Sequence, residues 1–128
     1  MLSLSEVYKK LKQIYPQAIS IANSNGQISQ GGVYLSFDEL KQDSNKKDIA
    51  IFSLIISSRT LIGKTNSILP LLDNLRQKTL QEQNFYFGVE IFSSIRFIEL
   101  SDSGLYSYAL VLQIPFYRDY EDDMEEYK

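Results

Sequence analysis

Nine consecutive residues near the middle of the chain, Ile49-Ala50-Ile51-Phe52-Ser53-Leu54-Ile55-Ile56-Ser57, carry seven apolar side chains and no charge. A short apolar run rich in β-branched residues is a strand in preference to a helix. Alternate residues of a strand point to opposite faces of its sheet. A run apolar at both parities therefore needs cover on both faces and pairing on both edges, which defines a central strand. The rest of the chain must supply that cover.

The flanking segments supply it in a recognisable order. Ser3 and Glu6 form an S-x-x-E capping box, with Leu2 and Val7 as the hydrophobic staple. Leu4, Val7, Leu11 and Ile14 follow at helical spacing, and Tyr15-Pro16 ends the helix. Ala18 to Ala22 is a short strand, and Asn25-Gly26 a turn. Val33, Leu35 and Phe37 alternate with Tyr34, Ser36 and Asp38, a strand with one buried face. Lys41 to Asp48 reads as a polar, mobile loop. A second helix is expected from Ser67 to about Gln81, with Ile68, Leu71, Leu72, Leu75 and Thr79 on one face. Pro70 fits only in its first turn, with Thr65 or Asn66 as the N-cap. Phe85, Phe87, Val89 and Ile91 share one parity, so Asn84 to Phe92 reads as an extended lead-in.

The chain then forms a long ribbon. Ile95 to Leu100 runs out, Ser101-Asp102-Ser103-Gly104 turns, and Leu105 to Phe116 returns. On the return strand Tyr106, Tyr108, Leu110, Leu112, Ile114 and Phe116 point one way, a face that helices must cover. Ser107, Ala109, Val111, Gln113 and Pro115 point the other way and form a small, mixed face. The outgoing strand divides into Ile95, Phe97 and Glu99 against Arg96, Ile98 and Leu100. The expected fold is α+β: one mixed or antiparallel sheet, two helices packed on one face, and a long C-terminal β-hairpin. Residues 1–117 are expected to form one domain and 118–128 an acidic, flexible tail.

Composition narrows the function classes. Of 128 residues, 44% are hydrophobic and 23% charged, ordinary values for a soluble domain. The net charge is −3. The segment Arg118 to Lys128 holds six acidic residues against two basic ones, so the body is near neutral and has no basic footprint for nucleic acid. No run approaches the ~20 apolar residues of a membrane helix, and no signal peptide is evident. There is no histidine and no cysteine. Thiolate and imidazole chemistry is thereby excluded, and a metal site would have to be all oxygen. No cofactor or catalytic residue is indicated. Asp38-Glu39 and Asp122-Asp123 read as solvated charge. Gly63-Lys64-Thr65 lies between a hydrophobic strand and a helix, where a phosphate-binding loop sits, but the first glycine of that motif is replaced by Ser58.

The second half of the chain resembles a known family. The strand IFSLIISSR (Ile51 to Arg59) is followed by a helix carrying LLDNLRQKTL (Leu71 to Leu80) and a terminal GLYSYALVLQIPF (Gly104 to Phe116). This order is similar to the Mu-type phage gp37-like family, related in layout to tail-terminator and tail-completion proteins of long-tailed phages. Leu71, Leu72, Asp73, Leu75 and Arg76 match the family's A-L-L-D-x-L-R helix. Gly104, Tyr106, Tyr108, Ala109 and Leu110 match its late strand. The resemblance implies a non-enzymatic subunit that forms a ring, of six copies, caps the tail tube and joins it to the head. Its partners would be further copies of itself, a tail-tube protein and a head-completion protein. Its location would be the host cytoplasm during assembly and then the virion tail. The expected contact residues are Lys46, Lys47, Arg59, Arg96, Ser107, Gln113, Tyr117 and Tyr120. Two alternatives stay open: a nucleotide- or ligand-binding module using Gly63-Lys64-Thr65, and an adaptor of a contractile secretion-like device.

Overall fold

The computed structural model describes residues 3–21, 28, 30–63 and 66–117. Its elements are α1 (Leu4–Ile14), β1 (Ile19–Ile21), β2 (Gly32–Gln42), β3 (Lys47–Ser58), α2 (Ile68–Tyr86), β4 (Phe92–Leu100) and β5 (Tyr106–Tyr117). The five strands form one sheet in the order β1-β2-β3-β5-β4. Only β1 and β2 pair in parallel, and the other three pairings are antiparallel. The fold is α+β with one sheet, as expected, and of the two arrangements left open by the sequence the sheet is the mixed one.

The apolar run lies at the centre. β3 is paired along its length with β2 on one side and β5 on the other, and Ala50 to Ser58 are all buried except for small residual exposure. Its two parities feed two cores. Ala50, Phe52, Leu54 and Ile56 join Leu110, Leu112, Ile114 and Phe116 of β5 beneath both helices. α1 contributes Val7, Leu11 and Ile14 to this core, and α2 contributes Ile68, Leu72 and Leu75. The other parity of β3 puts Ile55 with Tyr34 and Ala109 in a smaller cluster, flanked by Ile21, Ile28, Ile98 and Val111.

α1 begins as its sequence dictates. The Ser3 hydroxyl accepts from the Glu6 N–H at 3.2 Å, and Glu6 Oε1 accepts from the Ser3 N–H at 3.3 Å. Its partner in the expected staple, Leu2, lies outside the described residues, as do the Asn25-Gly26 turn and the acidic tail. Tyr15 caps the helix and is fully buried between the two helices, its hydroxyl bonded to Thr79 of α2. Thr79 Oγ1 in turn donates to the Leu75 carbonyl at 2.8 Å. Burial pushes the Tyr15 phenol up to about 12, against the lowering effect of the Thr79 bond.

Four expectations are corrected. The segment from Lys41 to Asp48 is not a long loop: β2 runs to Gln42 and β3 starts at Lys47, so the connection narrows to a tight turn. The Asp43 and Ser44 N–H groups both reach the Lys47 carbonyl, and a Lys47–Asp43 ion pair spans the turn at 3.4 Å. β2 is buried on both faces at Tyr34, Leu35 and Ser36, because β1 and the second cluster lie beside it there, while Phe37 is exposed. The cap of α2 is Ser67, whose hydroxyl bonds Thr60 Oγ1 at 2.9 Å instead of the helix backbone. Finally, Asn84 to Tyr86 are helical. α2 stops at Gly88, which has φ 66° and sends its N–H back to the Gln83 and Asn84 carbonyls at 3.1 and 3.0 Å. That is a left-handed helix stop of the kind glycine favours.

Two outcomes follow from this core. Leu54→Ala should cost about 2–5 kcal/mol in denaturant unfolding, while Ile62→Ala, at an exposed loop position, should stay within about 0.5 kcal/mol. Tyr15 should titrate late among the nine tyrosines. Because its folded pKa is raised from 10 to about 12, the unfolded chain gives up the proton first. Its contribution to stability is intact below pH 10 and is lost as pH rises to about 12. Absorbance titration should show one fewer late phenol in Tyr15→Phe.

Candidate functional site

The residues singled out from sequence fall in three separate places. Lys46, Lys47 and Tyr117 share one end of the sheet. Lys47 stands opposite Tyr117 in the β3–β5 register, and Tyr117 is exposed. Tyr120 lies outside the described residues. Arg59 sits at the far end of β3, where its guanidinium donates to the Ser103 carbonyl in the β4–β5 turn. Arg96 and Gln113 are exposed on the sheet face away from the helices. Ser107 is on that same face but is buried, and its hydroxyl is shared with Ser57 at 2.7 Å. It is therefore a fixed internal link between β3 and β5, not a surface group.

A cleft of about 530 Å³ opens at the Arg59 end, lined in part by Gly31, Ser58, Arg59, Thr60 and Asn66. Phosphate binding here would need unsatisfied N–H groups at the start of α2. They are already used. The Ile68 N–H donates to the Thr60 carbonyl and the Leu69 N–H to the Leu61 carbonyl, both at 3.0 Å. Pro70 has no N–H, and the Leu71 N–H reaches Ser67 at 3.1 Å. The hydroxyls of Ser58, Thr60 and Ser67 bond one another. Gly63 has φ 105°, and Lys64 and Thr65 lie outside the described residues.

Asp38 is not at a strand end, as its sequence neighbours suggest. It occupies a β-bulge within β2, between Phe37 and Glu39. Its carboxylate accepts the Ser36 hydroxyl at 2.7 Å and the Ser53 hydroxyl. The bulge thus places one carboxylate against two buried serine hydroxyls. This is a structural use of the acid. Among the described residues no group of three or more His, Cys, Asp or Glu is placed to hold a metal ion. Among them, too, no helix is long and apolar enough to cross a membrane.

The feature that stands out is an edge. Among the described residues β4 pairs only with β5, so its outer edge of N–H and C=O groups has no strand partner there. Ile95 and Phe97 lie opposite Leu110 and Tyr108, on the helix side of the sheet. A bulge between Phe97 and Glu99 then reverses the parity and puts Leu100, opposite Tyr106, on that side too. This corrects the expected split, which grouped Glu99 with Phe97 and Leu100 with Arg96. The two helices lie over the middle of the sheet and leave these side chains uncovered: Ile95 is 46%, Phe97 52% and Leu100 53% exposed. Phe92, on the opposite face, is 62% exposed. Sequence reasoning named Arg96 but missed the apolar residues beside it, because their burial depends on where the helices stop.

No family model matches the chain, and no curated protein matches its sequence.

The occupied donors at the start of α2 carry a clear expectation. A magnesium nucleotide at about 1 mM should leave the melting temperature unchanged, since a ligand stabilises only by binding the folded state. A rise of several degrees that Lys64→Ala abolishes would overturn that account.

Proposed function

We propose that this chain is a structural assembly subunit, a phage or prophage tail-terminator or tail-completion protein that works as a ring and not as an enzyme. The observation that carries the reading is the β4 edge, a nine-residue open strand with four large apolar residues at least 46% exposed. A solvated edge strand is ordinarily short, charged or covered, because an open one templates further pairing. β4 is long and carries only Arg96 and Glu99 as charges. An edge of this kind suits a protein that meets other chains.

The sequence resemblance supplies the setting. The A-L-L-D-x-L-R-like segment becomes the exposed and buried faces of α2, and the late-strand pattern becomes β5. In the proposed ring, of six copies, one axial face meets the tail-tube protein and the other a head-completion protein. Lys46, Lys47 and Tyr117 share one sheet end, and Arg59 sits at the other. The chain would act in the host cytoplasm during assembly and reside in the virion tail thereafter. Heterologous contacts close into such a ring when the rotation permits.

Native mass spectrometry should give a ring-sized species alone or after mixing with tail-tube protein, and electron microscopy should place it at one end of the tube. A chain that stays monomeric and never engages tube protein would remove this reading.

A further inference from the structure

We infer that the free protein is a two-fold dimer in which β4 pairs antiparallel with β4 of a second copy. Arg96 faces Glu99 of that copy, and Ile95 faces its Leu100. This goes beyond the ring reading and does not rest on it. A two-fold contact is complete with two copies, so it describes the chain before any ring is built.

Among the described residues the outer edge of β4 has no strand partner at any point along its length. The segment entering it, Phe87 to Ile91, and the turn leaving it, Ser101 to Leu105, are both described, and neither forms a strand. β5 runs on past Gln113, its last partner in β4, and the described chain ends at Tyr117, opposite Lys47 of β3. Along the edge itself Ile95, Phe97 and Leu100 keep about half of their surface exposed.

The bulge makes this edge complementary to itself. In a regular strand, residues at odd spacing point to opposite faces. Arg96 and Glu99 are at odd spacing, as are Ile95 and Leu100. Directly opposed residues of an antiparallel pair share a face, so without a bulge neither pair could meet. The irregularity between Phe97 and Glu99 shifts the parity by one. Arg96, opposite Ala109, and Glu99, opposite Ser107, then both face away from the helices. Ile95, Phe97 and Leu100, opposite Leu110, Tyr108 and Tyr106, all face the helix side.

A two-fold axis beside Phe97 therefore matches both faces at once. The two Arg96–Glu99 pairs meet on one face, and the two Ile95–Leu100 pairs on the other. Phe97, set edge-on against Tyr108 with ring centroids 5.3 Å apart, comes beside its own counterpart at the axis. The helices of both copies stay on one side of a continuous sheet. Other registers lose this match. One centred on Arg96 sets two arginines face to face, and one centred on Ile95 sets Arg96 against Ser94.

Arg96 and Glu99 are both exposed, so charge reversal spares the fold. Arg96→Glu or Glu99→Arg alone places like charges together at two symmetry-related points. Each should weaken dimerisation about tenfold in sedimentation equilibrium, and the two combined should restore it. The chain has no cysteine, so introduced cysteines report contacts without background. Directly opposed antiparallel residues have Cα atoms about 4.5–5.5 Å apart, within disulfide range. Mixing Ile95→Cys with Leu100→Cys should give an oxidised dimer, and the double variant should stop at a dimer. Neither single variant should link to itself, because like residues lie four strand positions apart, about 13 Å. A strict monomer, self-linking as efficient as mixed linking, or a ladder of higher species would overturn the pairing. A ring-sized species without the mixed link would also overturn it and leave the ring reading in place. A linked dimer that never engages tube protein would uphold the pairing and remove the tail reading.

Discussion

The two-sided burial of β3 is the constraint on which the structure depends. One strand, apolar at both parities, has to be covered above and below and paired left and right. The helix side is filled by large residues from α1, α2 and β5. The other side carries a smaller cluster of Tyr34, Ile55 and Ala109, beside serines that bond in pairs or to Asp38. Each serine hydroxyl placed there needs a partner, since an unpaired buried polar group costs about 1–3 kcal/mol. Ser57 with Ser107, and Ser36 and Ser53 with Asp38, meet that need.

The same constraint explains where the surface is open. Two helices cannot cover five strands. They are fixed over the middle of the sheet by the Tyr15–Thr79 contact and by the depth of the apolar layer on β3 and β5. The outermost strand on one side, and the half of β2 that pairs with no strand but β3 among the described residues, are what remains. The exposed Phe37, Leu40, Ile95, Phe97 and Leu100 lie there. Other large hydrophobics are exposed away from these strands, Ile62 and Phe85 among them, but β4 gathers four on one strand. The proposed ring rests on that strand.

Local signals were read well where one short-range interaction decides the outcome. The Ser3–Glu6 capping box, the Tyr15-Pro16 stop, Pro70 in the first turn of α2 and the parity of β5 all follow from neighbours within a few residues. The misreadings share a cause. Asn84 to Tyr86 alternate like a strand, yet the helix continues until Gly88 provides a left-handed stop. Lys41 and Gln42 are polar like a loop, yet they are the last residues of β2, paired with Ile49 and Asp48 of β3. The contact residues chosen from sequence were polar ones, and Ser107 proved to be an internal bond. The apolar members of the edge went unnamed because, in sequence, an apolar strand residue looks like core.

The sequence by itself determined that β3 is central, that two amphipathic helices share one face of the sheet, and that the chain has neither imidazole nor thiolate chemistry. These follow from periodicity and residue type, which act locally and survive any arrangement in space. Only the tertiary structure decided which strands became edges, where two bulges reversed parity, and that the first turn of α2 has no free N–H to offer a phosphate. Those outcomes depend on which distant segments meet. Exposure is a property of what lies on top of a residue, and no pattern within a strand records where its covering helix ends.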